Sequence, residues 1–497
     1  MTEPASPRNA LYRSALLAVA MQWSLRFIGL ISVFILARLL SPGDFGIMGL
    51  AVAALALVEL LGAVGLWQAL LRIKDWDREH LDTAWTIQLI LFGTMGLLAL
   101  CSAPLVARFY DQPALTAVLA VLSLRFLALG LANIGVVEFD RKLAFGRDLR
   151  MRVGARLASF VVAVSAAFWF RNYWALVIGL VAQNSFYSIA TYICHPFRPR
   201  LSLARRAELL GTSLWIFVHQ VTQTVQMQIE RLVMGRFTGP HVIGLYSVSK
   251  DLSEIFTQEI ATALNRVTFV TVAKSGELNE APLRTAQILG AYAMIAAPMG
   301  FGLAATAESA IPLLLGWEWV AAAPYLQIVA IYSAFYAVYK VIASSLQAAG
   351  HARQAAYMSG AGALCLALAV GGAAWLSPTV MTVAFAAFAA NLLVLASGIA
   401  VMAHYSGQNA FALGLHVFRP FGAAVAMAAA VRILGPDSGS AIVDLLSGVA
   451  IGVVAYPLFL LGLWWASGRP AGGEREALLF LGEIRQRLWR RPAAGEA

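Results

Sequence analysis

The residues that could do chemistry are concentrated where hydrocarbon would reject them. Between Ser213 and Phe237 the chain reads SLWIFVHQVTQTVQMQIERLVMGRF, an apolar frame carrying His219, Gln220, Thr222, Gln223, Thr224, Gln226, Gln228, Glu230, Arg231 and Arg236. At 3.6 residues per turn, Gln220, Thr224, Gln228 and Arg231 share one helical face, and Gln223, Gln226 and Glu230 an adjacent one. The next apolar segment is similar: Lys250 and Glu254 stand four apart, and Thr257, Gln258, Thr262 and Asn265 lead on to Arg266. Arg26, Arg125 and Lys340 are further cations inside apolar runs, and Glu59, Asp251 and Glu259 further carboxylates. Guanidinium and ammonium groups suit phosphate oxygens. Intramembrane carboxylates such as Glu59, Glu230 and Glu254 suit proton or sodium coupling. Tyr332, Tyr336 and Lys340 follow i, i+4, i+8 spacing, and phenol rings with polar tips suit the faces and edges of sugars. Ion pairing and packing inside a helix bundle is the structural alternative for each of these residues, most directly for Lys250 with Glu254.

Groups of this kind need elements that hold them within a bilayer, and the composition supplies such elements. The 497 residues are 60% hydrophobic and 12% charged, with a mean hydropathy of +0.74. A soluble protein of this size exposes too much surface to water for that balance, whereas lipid covers the outer face of a membrane protein. Apolar runs long enough to span about 30 Å of hydrocarbon fall near residues 14–40, 44–70, 83–106, 114–137, 153–170, 174–194, 213–235, 243–270, 286–306, 321–347, 356–376, 379–402, 416–434 and 443–466. They lack the period-2 alternation of barrel strands, so the expectation is an all-α integral membrane protein with about 14 transmembrane helices. Breakers separate the runs, among them SPGD at 41–44, TGP at 238–240 and GPDSG at 435–439. The first run is too long for a cleavable signal and continues into further spans. Cys101, Cys194 and Cys365 lie far apart inside apolar runs and read as small core residues, neither disulfides nor metal ligands.

The basic residues set the expected orientation. With the N-terminus inside, the outer loops hold only Arg38, Arg108, Arg171 and Arg236, and nearly all other loop and tail cations face the cytoplasm. Both termini are therefore expected to be cytoplasmic. The net charge of +10 calls for anionic membrane lipids as partners and not for nucleic acid. A repeat is visible as well. ARLLSPGDFGIMGL and GRFTGPHVIGLYSV follow the first and seventh segments, and Arg38 and Arg236 each precede a glycine, Gly46 and Gly244, by the same interval. The offset of 198 residues (236 − 38) is close to six helices with their connections, the pattern of a parallel-repeat transporter with its substrate site between halves. The expected organisation is a cytoplasmic tail at 1–13, an N-lobe at 14–212, a C-lobe at 213–402, two additional helices at 403–466 and a basic cytoplasmic tail at 467–497. Within that tail, Leu478, Leu479, Leu481, Ile484 and Leu488 outline an amphipathic surface helix over 472–492.

Enzyme chemistry finds no support. The chain has no GxxxxGK[ST] phosphate loop, no HExxH and no cysteine–histidine cluster, so neither a cofactor nor a metal is expected. The basic stretch EFDRKLAFGRDLRMR (138–152) reads as an orientation-setting, headgroup-binding loop.

Fourteen spans together with ILARLLSPGDFGIMGLA (35–51), EFDRKLAFGRD (138–148), ERLVMGRFTGPHVIGLYSVSKDL (230–252), NRVTFV (265–270) and LLGWEWVAAAPYLQIVAIY (314–332) resemble the polysaccharide transporter branch of the multidrug/oligosaccharidyl-lipid/polysaccharide (MOP) flippases. Val270 stands where that family often has proline. The resemblance implies two pseudo-symmetric six-helix lobes around a central cavity, with two extra helices. It also implies transport of an undecaprenyl-diphosphate-linked glycan, for lipopolysaccharide or exopolysaccharide biosynthesis, across the bacterial inner membrane, beside polymerase and glycosyltransferase machinery. On that reading Arg231, Arg26 and Arg125 lead as diphosphate ligands, supported by Lys340, Lys250, Arg266, Gln220 and Thr224. Tyr332 and Tyr336 would face the sugar. Two rivals stand beside it: a cation-coupled multidrug exporter working through Glu59, Glu230 and Glu254, and a membrane scaffold for a polysaccharide synthesis complex.

Overall fold

The computed structural model describes residues 7–62, 66–73, 76–142, 145–209, 214–275, 282–470 and 472–475, and among them there is no strand. The helices are α1 (Pro7–Leu39), α2 (Pro42–Glu59), α3 (Leu66–Arg72), α4 (Arg78–Phe109), α5 (Ala114–Gly130), α6 (Val137–Arg141), α7 (Phe145–Phe170), α8 (Trp174–Cys194), α9 (Arg206–Leu209), α10 (Leu214–Phe237), α11 (Pro240–Ser275), α12 (Pro282–Ala305), α13 (Ala307–Leu314), α14 (Ala323–Ala348), α15 (Ala352–Leu376), α16 (Val380–Ser406), α17 (Ala410–Leu434) and α18 (Ala441–Ala466). Among the described residues eleven helices are long and apolar enough to cross a membrane. The number is twelve if α5 and Ile134–Arg141, bent by 61°, form one span. The remaining two of the fourteen expected segments are α10 and α11. They are long helices of 24 and 36 residues, but their amides and charges leave them too polar to be counted as spans on apolarity. The surface helix expected over 472–492 lies almost wholly outside the described residues.

Contacts divide the chain into two compact units. The first takes the described residues up to Val248 together with Leu314–Trp319 and Val370–Val383. The second takes Ser249–Leu313, Val320–Ala369 and the described residues from Ala384 onward, so the division falls inside α11.

In the first unit α7 packs on α8 and α1, α4 on α5, α5 on α8, and α2 on α10. Small residues permit the close approach that membrane helices use in place of a hydrophobic driving force. A Cβ built on Gly179 of α8 would stand 2.7 Å from the Ala163 Cβ of α7. The core itself is Leu50, Leu55, Met95, Leu115, Leu119, Leu122 and Phe126, all enclosed. Cys101, by contrast, is exposed on α4 and is no core residue.

Between α8 and α9 the chain runs without helix, yet its backbone is pinned. Arg200 N donates to Asp82 Oδ1 at 2.7 Å, Ser202 N to Thr86 Oγ1 at 2.9 Å, and Asn133 Nδ2 to Phe197 O at 2.7 Å. Asp82, Thr83 and Thr86 are buried on the first two turns of α4, so a polar helix start that would otherwise be unsatisfied becomes the seat of this strap. His80 closes it, with ring nitrogens 2.7 Å from Asp77 Oδ1 and 3.0 Å from Glu208 Oε2.

In the second unit α12 packs on α14 and α17, and α17 on α18. Gly300 brings α12 against the α14 backbone, since a Cβ there would lie 2.5 Å from Ala330 O. The Phe335 and Phe421 rings meet at a tilt with centroids 4.7 Å apart, and Tyr456 Oη donates to Met294 O at 2.9 Å. Arg419 and Glu474, both buried, pair at 3.3 Å. Helix α11 continues through Val270 to Ser275; a proline there would remove a helix N–H.

Hydrogen bonds from His80 hold the Asp77 and Glu208 carboxyls below their ordinary values of 3.8 and 4.5. The stability they lend is complete above those values and is lost as pH falls through the lowered ones. Proteolysis between His195 and Leu209 should therefore be slow in mildly acidic buffer and quicken in strongly acidic buffer. His80→Ala should speed it in mildly acidic buffer, and the difference should shrink in strongly acidic buffer, where the unchanged protein has lost the same contacts.

Candidate functional site

The two repeat-related turns meet in space. Ser41 caps α2 with a full capping box: Asp44 Oδ2 accepts from Ser41 N at 3.0 Å and from Ser41 Oγ at 2.6 Å, while Asp44 N donates to Ser41 Oγ at 3.4 Å. The other oxygen, Oδ1, accepts from Tyr173 N at 2.8 Å and so ties this cap to the start of α8. Pro42 opens α2 and Pro240 opens α11. A Cβ on Gly46 would overlap the Pro240 carbonyl, and a Cβ on Gly244 would overlap that of Pro42. The reciprocity extends to the amides, since each built Cβ lies 3.0 Å from the other glycine's nitrogen. One step inward, a Cβ on Gly49 would stand 2.8 Å from Ser247 Oγ. The pairs 42/240, 46/244 and 49/247 all keep the offset of 198 seen between Arg38 and Arg236. This is a near-two-fold crossing of backbones, and only glycine allows it. Trp319, fully buried, borders it: its Nε1 donates to Ala37 O at 2.8 Å and its ring meets Phe45 edge-on at 5.1 Å.

Helix α10 brings its charges to that crossing. Glu230, 1% exposed, accepts from Tyr246 Oη at 2.7 Å. Arg231 is also buried, with Nη2 donating to Ser247 O and Nη1 to Gln228 Oε1, each at 3.4 Å. The two neighbours point to different faces, as the sequence spacing implies, and both grip the first turns of α11. Tyr110 Oη donates to Leu232 O at 3.1 Å and holds the same helix from the α4 side. Toward the start of α10, Gln220 is exposed and Thr224 partly so, with Thr224 Oγ1 donating to Gln220 O at 3.0 Å.

The other anticipated residues fall into distinct settings. Arg125 and Glu59 form an ion pair, so one diphosphate candidate and one coupling candidate neutralise each other; the guanidinium also lies 5.2 Å from the Phe126 centroid. Arg26 is half-buried on α1. In the second unit Lys250 is buried and Glu254 half-buried on α11. Tyr332 and Tyr336 are enclosed on α14, a helix buried along most of its length. Tyr336 stacks with Tyr339 at 6.1 Å, and Lys340 Nζ lies 6.0 Å from the Tyr336 centroid, so the expected stripe is present. Arg266 lies on α11, and its side chain is outside the described residues.

Sequence reasoning passed over Arg156. Its Nη1 donates to Gln183 Oε1 across the α7–α8 contact, and its Nη2 lies 3.2 Å from where a Cβ on Gly29 of α1 would be. One turn earlier, Arg152 Nε donates to Asp148 Oδ1 at 2.7 Å, with its guanidinium 5.5 Å from the Tyr187 centroid. The available signal was an arginine inside an apolar run, 153–170, the same signal that singled out Arg26.

Residues 35–324 match the family described as "Polysaccharide biosynthesis protein". The chain is 26% identical over 459 residues to the succinoglycan biosynthesis transport protein ExoT of Rhizobium meliloti (strain 1021), covering 87% of this chain and 88% of that protein. It is 23% identical over 326 residues to the lipopolysaccharide biosynthesis protein WzxC of Escherichia coli (strain K12), covering 65% and 66%. The fold matches the solved structure of the lipid II flippase MurJ in an inward closed conformation, with a TM-score of 0.74 at 12% identity, over 91% of this chain and 100% of that one.

A methyl group added at either glycine of the crossing must push two backbones apart. Overpacking of this kind typically costs about 1–3 kcal/mol. Gly46→Ala and Gly244→Ala should each lower the melting temperature of the purified protein, whereas Gly239→Ala, whose built Cβ meets nothing within 4 Å, should not.

Proposed function

The chain belongs to the polysaccharide biosynthesis protein family, and from that membership we propose that it moves a lipid-diphosphate-linked oligosaccharide, or a related polysaccharide precursor, between the leaflets of a bacterial cytoplasmic membrane. It is a polysaccharide transporter of the MOP superfamily and not an enzyme. The observation that carries the substrate class is the relationship to ExoT across 88% of that protein's length, because ExoT is named for succinoglycan transport. An undecaprenyl-diphosphate-linked glycan is the substrate of this reading, with transport from the cytoplasmic to the periplasmic side.

The mechanism is alternating access. The sugar diphosphate enters an aqueous cavity open to the cytoplasm while the lipid tail stays in the bilayer. Six-helix lobes at 14–212 and 213–402 rock about it, and 403–466 adds two helices; both termini are cytoplasmic. Arg26 and Arg231 attract the diphosphate, and Gln220 and Thr224, on the less buried part of α10, line the path. Lys250, Lys340 and Arg266 add positive charge, and Tyr332 and Tyr336 contact sugar when the enclosing helices part. Anionic lipids hold the basic loops, and the polymerase and glycosyltransferase machinery acts on either side of the transport step. The multidrug-exporter alternative is weakened by the carboxylates, because Glu59 is committed to Arg125 and Glu230 to Tyr246.

Deleting the gene should abolish surface polysaccharide, and wild-type protein should restore it. Arg231→Gln should not restore it at equal membrane level, measured by immunoblot. In a background without Cys101, Cys194 and Cys365, cysteines at 220 and 224 should react with a membrane-impermeant maleimide. Full polymer with Arg231→Gln, or silence at both cysteines, would count against the cavity.

A further inference from the structure

The first unit contains one arginine whose setting the transport reading has not used. Arg156 lies 11 residues into α7 and 14 residues before its end, roughly 16 Å and 21 Å along the axis at 1.5 Å per residue, so it sits near the middle of a span. Its described hydrogen-bond partner is the neutral Gln183 amide, and no carboxylate pairs with it among the described residues. This distinguishes it from its neighbours: Arg125 has Glu59 and Arg152 has Asp148. A guanidinium carries five N–H donors, and one amide oxygen leaves most of them available. An intramembrane charge compensated only by an amide marks a functional position by default.

Three helices converge on it. On α1, Gln22, Arg26 and Gly29 follow i, i+4, i+7 spacing and share one face, and the approach of Arg156 to Gly29 fixes that face toward α7. Gly29 leaves a notch for the guanidinium, because a side chain there would begin 3.2 Å from Nη2. On α8, Gln183 and Tyr187 are one turn apart, against Arg156 and Arg152 respectively. The result is a strip of three arginines, Arg26, Arg152 and Arg156, with Gln22, Gln183 and the Tyr187 phenol, in which Arg152 is paired with Asp148.

We propose that Arg156, together with Arg26 and oriented by Gln183, is a diphosphate-binding subsite built on α1, α7 and α8 of the first unit. The planar guanidinium fork accepts two phosphate oxygens at once, which a sugar hydroxyl cannot match in charge. The assignment rests on the transport reading for its ligand class, and it adds a site on helices that contribute none of Arg231, Lys250 or Lys340.

The test uses the full-length protein in detergent with farnesyl diphosphate as probe, and with farnesol and inorganic pyrophosphate as separate arms. Arg156→Gln should weaken farnesyl diphosphate binding at least tenfold in calorimetry and leave farnesol binding unchanged, and Arg156→Lys should recover part of the loss. Competition by pyrophosphate would show that the charge, and not the chain, is what the subsite reads. Gly29→Leu, which crowds the guanidinium from the other side, should weaken the same probe if Arg156→Gln proves unstable. Wild-type affinity in a folded Arg156→Gln or Gly29→Leu protein overturns the subsite. The transport reading is judged separately: it fails if wild-type protein does not restore surface polymer, whatever Arg156 binds.

Discussion

A charge inside hydrocarbon must find an opposite charge, a polar group or water, and this constraint arranges much of the molecule. Three solutions appear in the first unit. Arg125 takes a carboxylate, Glu59. Arg231 takes a main-chain carbonyl and an amide, Ser247 O and Gln228 Oε1. Arg156 takes an amide, Gln183. The first is electrically closed and therefore structural in character. Arg156, with no carboxylate against it among the described residues, leaves positive charge within the span, where a ligand with phosphate oxygens gains most from the low dielectric.

What could be read from the sequence followed from period and composition. Apolar run lengths located twelve of the spans, including the bent one, because lipid exposure imposes a length and an apolarity that few other settings do. Helices α10 and α11 were also located, although Gln220, Glu230, Arg231 and Lys250 keep them from standing out as spans by apolarity. The stripe of Tyr332, Tyr336 and Lys340 is present because helical periodicity is local. Partnerships were not legible. Nothing in sequence spacing joins Arg125 to Glu59 or Arg156 to Gln183, since these pairs form only when distant helices pack. The enclosure of Tyr332 and Tyr336 on α14 likewise reflects the helices around them and not their own positions.

The strap after α8 illustrates the same division. Its composition, with no apolar run and no helical period, announces a connection. That it is pinned to Asp82 and Thr86 depends on buried side chains far upstream. A connection of this length between bilayer-spanning elements is thereby held as firmly as a secondary-structure element, and by the same means of satisfied backbone groups.

The crossing of α2 and α11 was visible in the sequence only as a repeated arginine-to-glycine interval. In space each glycine is the wall against which the other rests. Trimming is impossible on either side, because glycine is already the smallest residue, so a bulkier residue at one position finds no compensating change at the other. Two sites 198 residues apart are thus mutually unforgiving, and drift that is free to change either sequence elsewhere is blocked at this point in both at once.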